Sequence, residues 1–167
     1  MTNKYADHLL VLPEDDANRR LVNGFLKYVD VKYRCVQVLP EAGGWRHVLE
    51  ALQDPAVIKG LTTYPKRRLL LMIDFDDQAA ARLQDYANLR VALPVAAQSR
   101  VYLLGSLETP ERLRAACGRQ LEDIGKQLAS DCPQLPAGSL WSHQQMQHNA
   151  PELARLVAQV QPFLLQV

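Results

Sequence analysis

Four short apolar runs punctuate the first two thirds of the chain: "HLLVLP" (8–13), "CVQVLP" (35–40), "RLLLMID" (68–74) and "RVYLLG" (100–105). Bounded by Pro, Gly or charged residues, they read as strands. The first and third are nearly continuous in apolar side chains, as strands buried on both faces of a parallel sheet are. The second places Gln37 between Val36 and Val38 and is expected nearer an edge.

Between these runs the apolar spacing changes to that of helices. "EDDANRRLVNGFLKYV" carries Leu21, Val22, Phe25, Leu26 and Val29 on one stripe, with acids in its first turn, where they complement the helix dipole. "WRHVLEALQD" repeats Val48, Leu49 and Leu52, and "DDQAAARLQDYANL" repeats Ala80, Leu83 and Ala87. "TPERLRAACG" offers Thr109 as N-cap, Pro110 at the first helical position and Gly118 as stop. Strand and helix alternate four times. That order predicts an α/β fold: a mostly parallel sheet of four strands or slightly more, joined by right-handed crossovers and covered by helices on both faces.

The rest is expected to be helical. "RQLEDIGKQLASDC" repeats Leu121, Ile124 and Leu128, and "NAPELARLVAQVQPFLLQV" starts with Asn149 and, three residues on, Glu152, a capping-box-like pair. "CPQLPAGSLWSHQQMQH" between them is loop-like. No repeat or linker interrupts the chain, which reads as a single domain over 1–167: an α/β core over 1–118 and a helical C-terminal extension over 119–167.

With 167 residues, 48% hydrophobic and 22% charged, the chain suits one sizeable core. A net charge of +1 excludes a global basic field of the kind that announces nucleic acid. Cys35, Cys117 and Cys132 are odd in number and far apart, against a disulfide framework or a thiolate zinc site. The N-terminus lacks a signal-peptide pattern, and no apolar run approaches the roughly 20 residues that cross a bilayer. A cytoplasmic protein without a membrane partner is the expectation.

The strand ends carry the candidate chemistry. In a parallel sheet ligands bind beyond the carboxyl ends of the strands. Here the first run ends in Glu14, Asp15 and Asp16, the second leads through Glu41 to Gly43 and Gly44, and the third runs into Asp74, Asp76 and Asp77. Asp74 and Asp76, two apart on an extended chain, start on the same side of it. Carboxylates converging from several strand ends make an oxygen-rich site suited to Mg²⁺ or Mn²⁺, and hence to phosphoryl or phosphodiester chemistry. The same acids also serve as ordinary helix caps, the expected role of Asp16 and Asp77, while Glu41 reads as a loop acid. Gly43-Gly44 either cradles a phosphate or simply makes a tight turn. Arg19 and Arg20 lie toward the acidic rim, whereas Lys66, Arg67 and Arg68 lie at the opposite one. His47 follows the Gly-Gly turn, and His143 and His148 are spaced unlike a zinc pair.

Together, "PEDDANRRLVNGF", "LPEAGGWRHVLEAL" and "LLLMIDFDDQ" resemble the Toprim domain, the metal-binding α/β domain of topoisomerases, primases and OLD-type nucleases, over roughly the first 105 residues. Two glycines usual in that pattern are replaced, one by Asp15 and one after Asp76. The resemblance implies Asp74 and Asp76 as Mg²⁺ (or Mn²⁺) ligands, Glu14 as general base or acid or as a further metal ligand, and Gly43 and Gly44 at a phosphate; Lys126 is a candidate supporting lysine. It implies a small nuclease or nuclease subunit acting on nucleic acid. The alternative is a catalytically weak or inactive Toprim-like module working through a protein partner that supplies nucleic-acid binding or ATPase function. A receiver-like signalling domain fits the acids but not the Gly-Gly turn.

Overall fold

In the computed structural model, which describes residues 2–132 and 137–166, the four apolar runs form β1 (His8–Pro13), β2 (Val36–Val38), β3 (Arg67–Met72) and β4 (Val101–Leu104). All pair in parallel, in the order β2-β1-β3-β4, which puts β2 at an edge as its polar Gln37 suggests. The third strand is shorter than its apolar run. It ends at Met72, so Ile73 and Asp74 lie beyond it.

The helices are α1 (Asp16–Leu26), α2 (Trp45–Glu50), α3 (Pro55–Thr63), α4 (Ala79–Val91), α5 (Val95–Gln98), α6 (Pro110–Cys117), α7 (Leu121–Asp131), α8 (Ala150–Gln159) and α9 (Gln161–Leu164). Thr109 caps α6 as expected, accepting from the Arg112 N–H, and Gly118 ends it at φ 63°. Helix α3 lies outside the sequence expectation although its start is marked: Asp54 accepts from the Ala56 N–H, and Pro55 follows it.

Side chains alternate across the sheet. Leu9, Val11, Leu70, Tyr102 and Leu104 pack against α1, α7 and α8 on one face. Leu69, Leu71, Ile73, Val101 and Leu103 meet α2, α4 and their neighbours on the other. The first cluster takes in Leu121, Ile124 and Leu128 of α7 and Leu153 and Leu156 of α8, so the C-terminal helices join α1 in one of the two layers over the sheet.

Helices α1 and α7 touch backbone to backbone. A Cβ added at Gly24 would lie 2.0 Å from the Glu122 carbonyl oxygen, and one at Gly125 would lie 2.0 Å from that of Leu21. Arg20 clasps Glu122 across the same crossing, Nε to Oε1 at 2.8 Å and Nη2 to Oε2 at 3.1 Å. That pairing holds the Glu122 carboxyl down at about 2.

Two expected faces are corrected. On α4 the buried residues are Arg82 and Tyr86, while Ala80 and Ala87 are exposed; a buried arginine disguises the inward stripe. On α8 the capping box does not form. Asn149 stands at the N-cap position without capping, and both residues turn instead to the outer edge of β4. There Asn149 holds Gly105 by N–H to Oδ1 at 3.1 Å and Nδ2 to O at 2.9 Å. Glu152 accepts from the Leu103 N–H at 3.0 Å, and Arg155 donates to the Val101 carbonyl at 3.1 Å. Residues three apart at and beyond the N-cap of α8 thus meet residues two apart along β4 and just past its end, closing an edge that would otherwise offer bare backbone groups. Of the loop-like segment 132–148, residues 133–136 lie outside the described residues. Two 3₁₀ turns follow, Leu140–Ser142 within it and Gln147–Asn149 across its end.

Candidate functional site

Register builds the acidic rim. Pro13 pairs with Met72, and the Glu14 N–H donates to the Met72 carbonyl at 2.9 Å, so Glu14 enters the rim level with the start of the 73–77 loop. Glu14 Oε2 accepts from the Asp74 N–H at 2.7 Å. Asp74, 8% exposed, in turn accepts from Asn18 Nδ2 through Oδ1 at 2.8 Å. Asn18 sits in the first turn of α1, and its amide also donates to Asp15 Oδ1 at 3.0 Å. Asp15 is the N-cap of α1, accepting from the Asn18 N–H.

Both carboxyls are pushed up. Burial is the main cause for Asp74, which rises to about 7 against the opposing bond from Asn18, with Glu14, Asp15 and Asp76 adding repulsion. Burial also raises Glu14, opposed by the Asp74 N–H. Among the described residues, Glu14 Oε1 and Asp74 Oδ2 take no hydrogen bond.

Asp76 does not join them. The extended geometry expected beyond the third strand is broken, because Asp76 and Asp77 take positive φ of 46° and 58°. Their N–H groups donate to the carbonyls of Glu108 and Leu107 at 3.0 and 2.8 Å, which fixes that turn against the segment after β4. Asp76 Oδ2 is held by Arg82 Nη1 at 2.7 Å. The same nitrogen donates to the Asp74 carbonyl, the Arg82 guanidinium lies 4.4 Å from the Trp45 ring centroid, and Nε is buried without a partner. Arg82 is therefore the cation built into this rim. Among the described residues no group of three or more His, Cys, Asp or Glu side chains is placed to hold a metal ion.

Other expected roles are redrawn. Asp77 caps no helix, since α4 starts at Ala79 behind Gln78. Asp16 is bound by Arg19 at 2.7 Å, and Arg19 also meets Glu41 at 3.2 Å, so Glu41 belongs to an ion-paired surface triad. With Arg20 committed to Glu122, neither arginine faces the Glu14–Asp74 pair as a free cation. Gly43 and Gly44 have positive φ of 82° and 149° and make the turn into α2. The Gly43 N–H donates to the Glu14 carbonyl at 2.9 Å, which ties this turn to the end of β1 and leaves that donor committed. His47 is exposed and 3.6 Å from Glu50. Lys126 is exposed on α7, on the helix that packs along α1 rather than at the rim. His148 stacks edge-on against Phe75 and bonds the Gly105 carbonyl, with burial lowering its pKa.

Asn18, Arg82 and Trp45 are the residues that sequence reasoning missed. Their signals are faint: an amide in the first turn of a helix, an arginine interrupting an alanine-rich stripe, and a tryptophan directly after Gly-Gly. Comparison of the chain with family models, curated proteins and solved structures finds no match. Among the described residues no helix is long and apolar enough to cross a membrane.

Proposed function

We propose that the rim binds one divalent cation, Mg²⁺ or Mn²⁺, and serves phosphodiester chemistry as a small Toprim-like nuclease or nuclease subunit. The carrying observation is the Glu14–Asp74 pair: two carboxyls from neighbouring strand ends, both raised in pKa, each with one oxygen unbonded. Mg²⁺ is usually held by one or two carboxylates and completed by waters and substrate phosphate, so a pair suffices where no triad exists. Asp74 Oδ2 and Glu14 Oε1 are the ligand atoms on offer. Such an ion, when bound, polarises a phosphate oxygen and acidifies its water. Glu14, whose carboxyl is raised by burial, would either hold the ion or, when not bound to it, take or return a proton. Arg82, buried and pinned by Trp45 and Asp76, would hold the 74–76 turn in shape behind the two ligand oxygens, and nucleic acid is the partner this chemistry asks for.

A second reading is favoured by one observation, the commitment of Asp76 to Arg82. A site that supplies its own cation suits a catalytically weak Toprim-like module that acts through a protein partner. Calorimetric titration with Mg²⁺ and Mn²⁺ separates the two. Wild-type binding that Asp74→Asn and Glu14→Gln each abolish, followed by metal-dependent cleavage of single- or double-stranded DNA or RNA, supports the nuclease reading. No heat at millimolar metal, with Arg82→Ala acquiring binding, supports the module.

A further inference from the structure

Between the sheet and the layer formed by α1, α7 and α8 lies a cavity of about 100 Å³. Its wall is apolar, including Leu9, Val11, Leu128, Trp141 and Leu153, except for three side chains. Asn18, Ser106 and Gln161 line it, and each has a buried oxygen without a hydrogen-bond partner among the described residues: Asn18 Oδ1, Ser106 Oγ and Gln161 Oε1. An unpaired buried polar atom is costly, and three around one cavity mark a space shaped for something that can bond to them.

The orientation of Asn18 is fixed by chemistry. Its Nδ2 donates to two carboxylates, Asp15 and Asp74, so the atom left over is the carbonyl oxygen, a pure acceptor. Ser106 is 2% exposed, and its hydroxyl is free to donate. Both residues flank the 74–75 segment, since the Ser106 carbonyl accepts from the Phe75 N–H at 3.1 Å. An occupant matching this pair needs one group that donates to Asn18 and accepts from Ser106. A hydroxyl does both. The rest of the occupant must be apolar and small: an apolar cavity of about 150 Å³ takes the six carbons of benzene, so this one of about 100 Å³ takes roughly four to five non-hydrogen atoms.

We infer that this cavity is a binding site for a small neutral alcohol, with its hydroxyl between Asn18 and Ser106 and its hydrocarbon body among the leucines. The site is distinct from the acidic rim and stands whether or not the rim takes a cation. Asn18 is the wall the two share.

The test uses the full chain and two isomers, 1-butanol and diethyl ether, equal in composition but differing in the O–H donor. Titrations are followed by the emission of Trp141 in a Trp45→Phe background and by amide NMR shifts. Saturable binding of 1-butanol is expected, about fivefold to tenfold tighter than the ether, the worth of one hydrogen bond. The largest shifts fall on Ser106 and on the Asn18 side-chain amide. Ser106→Ala, which removes the donor that both oxygens can accept from, is expected to weaken both isomers alike and to leave in place the preference for the alcohol, which rests on Asn18 Oδ1. Leu128→Phe fills the cavity and abolishes binding, and Val22→Ile, a smaller intrusion on the same wall, weakens it if the larger side chain unfolds the protein. Shifts that never saturate, or equal affinity for the two isomers in the wild type, overturn the assignment. So does a resident water that contacts Ser106 and Asn18 by nuclear Overhauser effect and is not displaced by 1-butanol.

Discussion

Asp74 is ionisable, nearly buried and flanked by like charges, and its folded-state pKa of about 7 lies above the ordinary aspartate value of 3.8. The folded chain therefore holds this proton where the unfolded chain has lost it, so stability falls as pH rises from about 4 to about 7. Without metal, Asp74→Asn is expected to be more stable than wild type at pH 8, by roughly 1 to 3 kcal/mol, with the difference shrinking toward pH 5. Asparagine keeps an acceptor for Asn18, so the hydrogen bond survives the change. Urea melts at the two pH values check the sign. Adding Mn²⁺ at pH 8 raises the wild-type midpoint and leaves the variant unmoved if the rim takes the cation. Arg82→Ala goes the other way. It strands the Asp74 carbonyl and leaves Asp76 without its partner, an expected loss of about 2 to 3 kcal/mol on the same melts. The carboxylates of this rim were legible in the sequence because strand ends and acids are both visible in a linear pattern. Their partition was not: that Glu14 meets Asp74 while Asp76 turns to Arg82 depends on register and on two left-handed residues.

At the scale of elements, the alternation of strands and helices was plain in the period of the apolar residues, as was the burial of Leu121, Ile124 and Leu128. What stayed hidden were polar side chains spent on backbone. Asn149 and Glu152 look like a capping pair because their spacing is that of one, and only the nearby β4 edge redirects them. Glu152→Ala removes the acceptor of the Leu103 N–H and the Tyr86 hydroxyl together, at an expected cost of about 2 to 4 kcal/mol. Glu152→Gln, which keeps an acceptor oxygen, is expected to lose less. Denaturant melts give both values, and concentration-dependent light scattering reports whether the uncovered edge pairs between molecules. The α1–α7 crossing tolerates no side chain at its closest points. Gly24→Ala and Gly125→Ala are each expected to cost about 3 kcal/mol, by forcing the two backbones apart.

For the molecule as a whole, the two apolar clusters lie on opposite faces of one sheet, and the C-terminal helices cover one face alone. A chain cut after Gly118 retains all four strands but strips α7 and α8 from the face formed by Leu9, Val11, Leu70, Tyr102 and Leu104. With only α1 and α6 left over that face, it is expected to be insoluble or molten, with dye binding to the uncovered apolar surface and no cooperative melt. In the intact chain, Trp45 and Trp141 report on opposite layers, and single-tryptophan variants are expected to give coincident unfolding curves.

The way α8 closes the sheet also bears on how the chain could be put to use. Three side chains on one helix face stand where a neighbouring strand's backbone would otherwise run. A strand's neighbour can be exchanged only whole, but these three can be edited one at a time. The β4 side is thus a graded seal: single replacements would loosen the hold on Gly105, Leu103 or Val101 one at a time, while Leu153 and Leu156 keep the helix itself seated in the core.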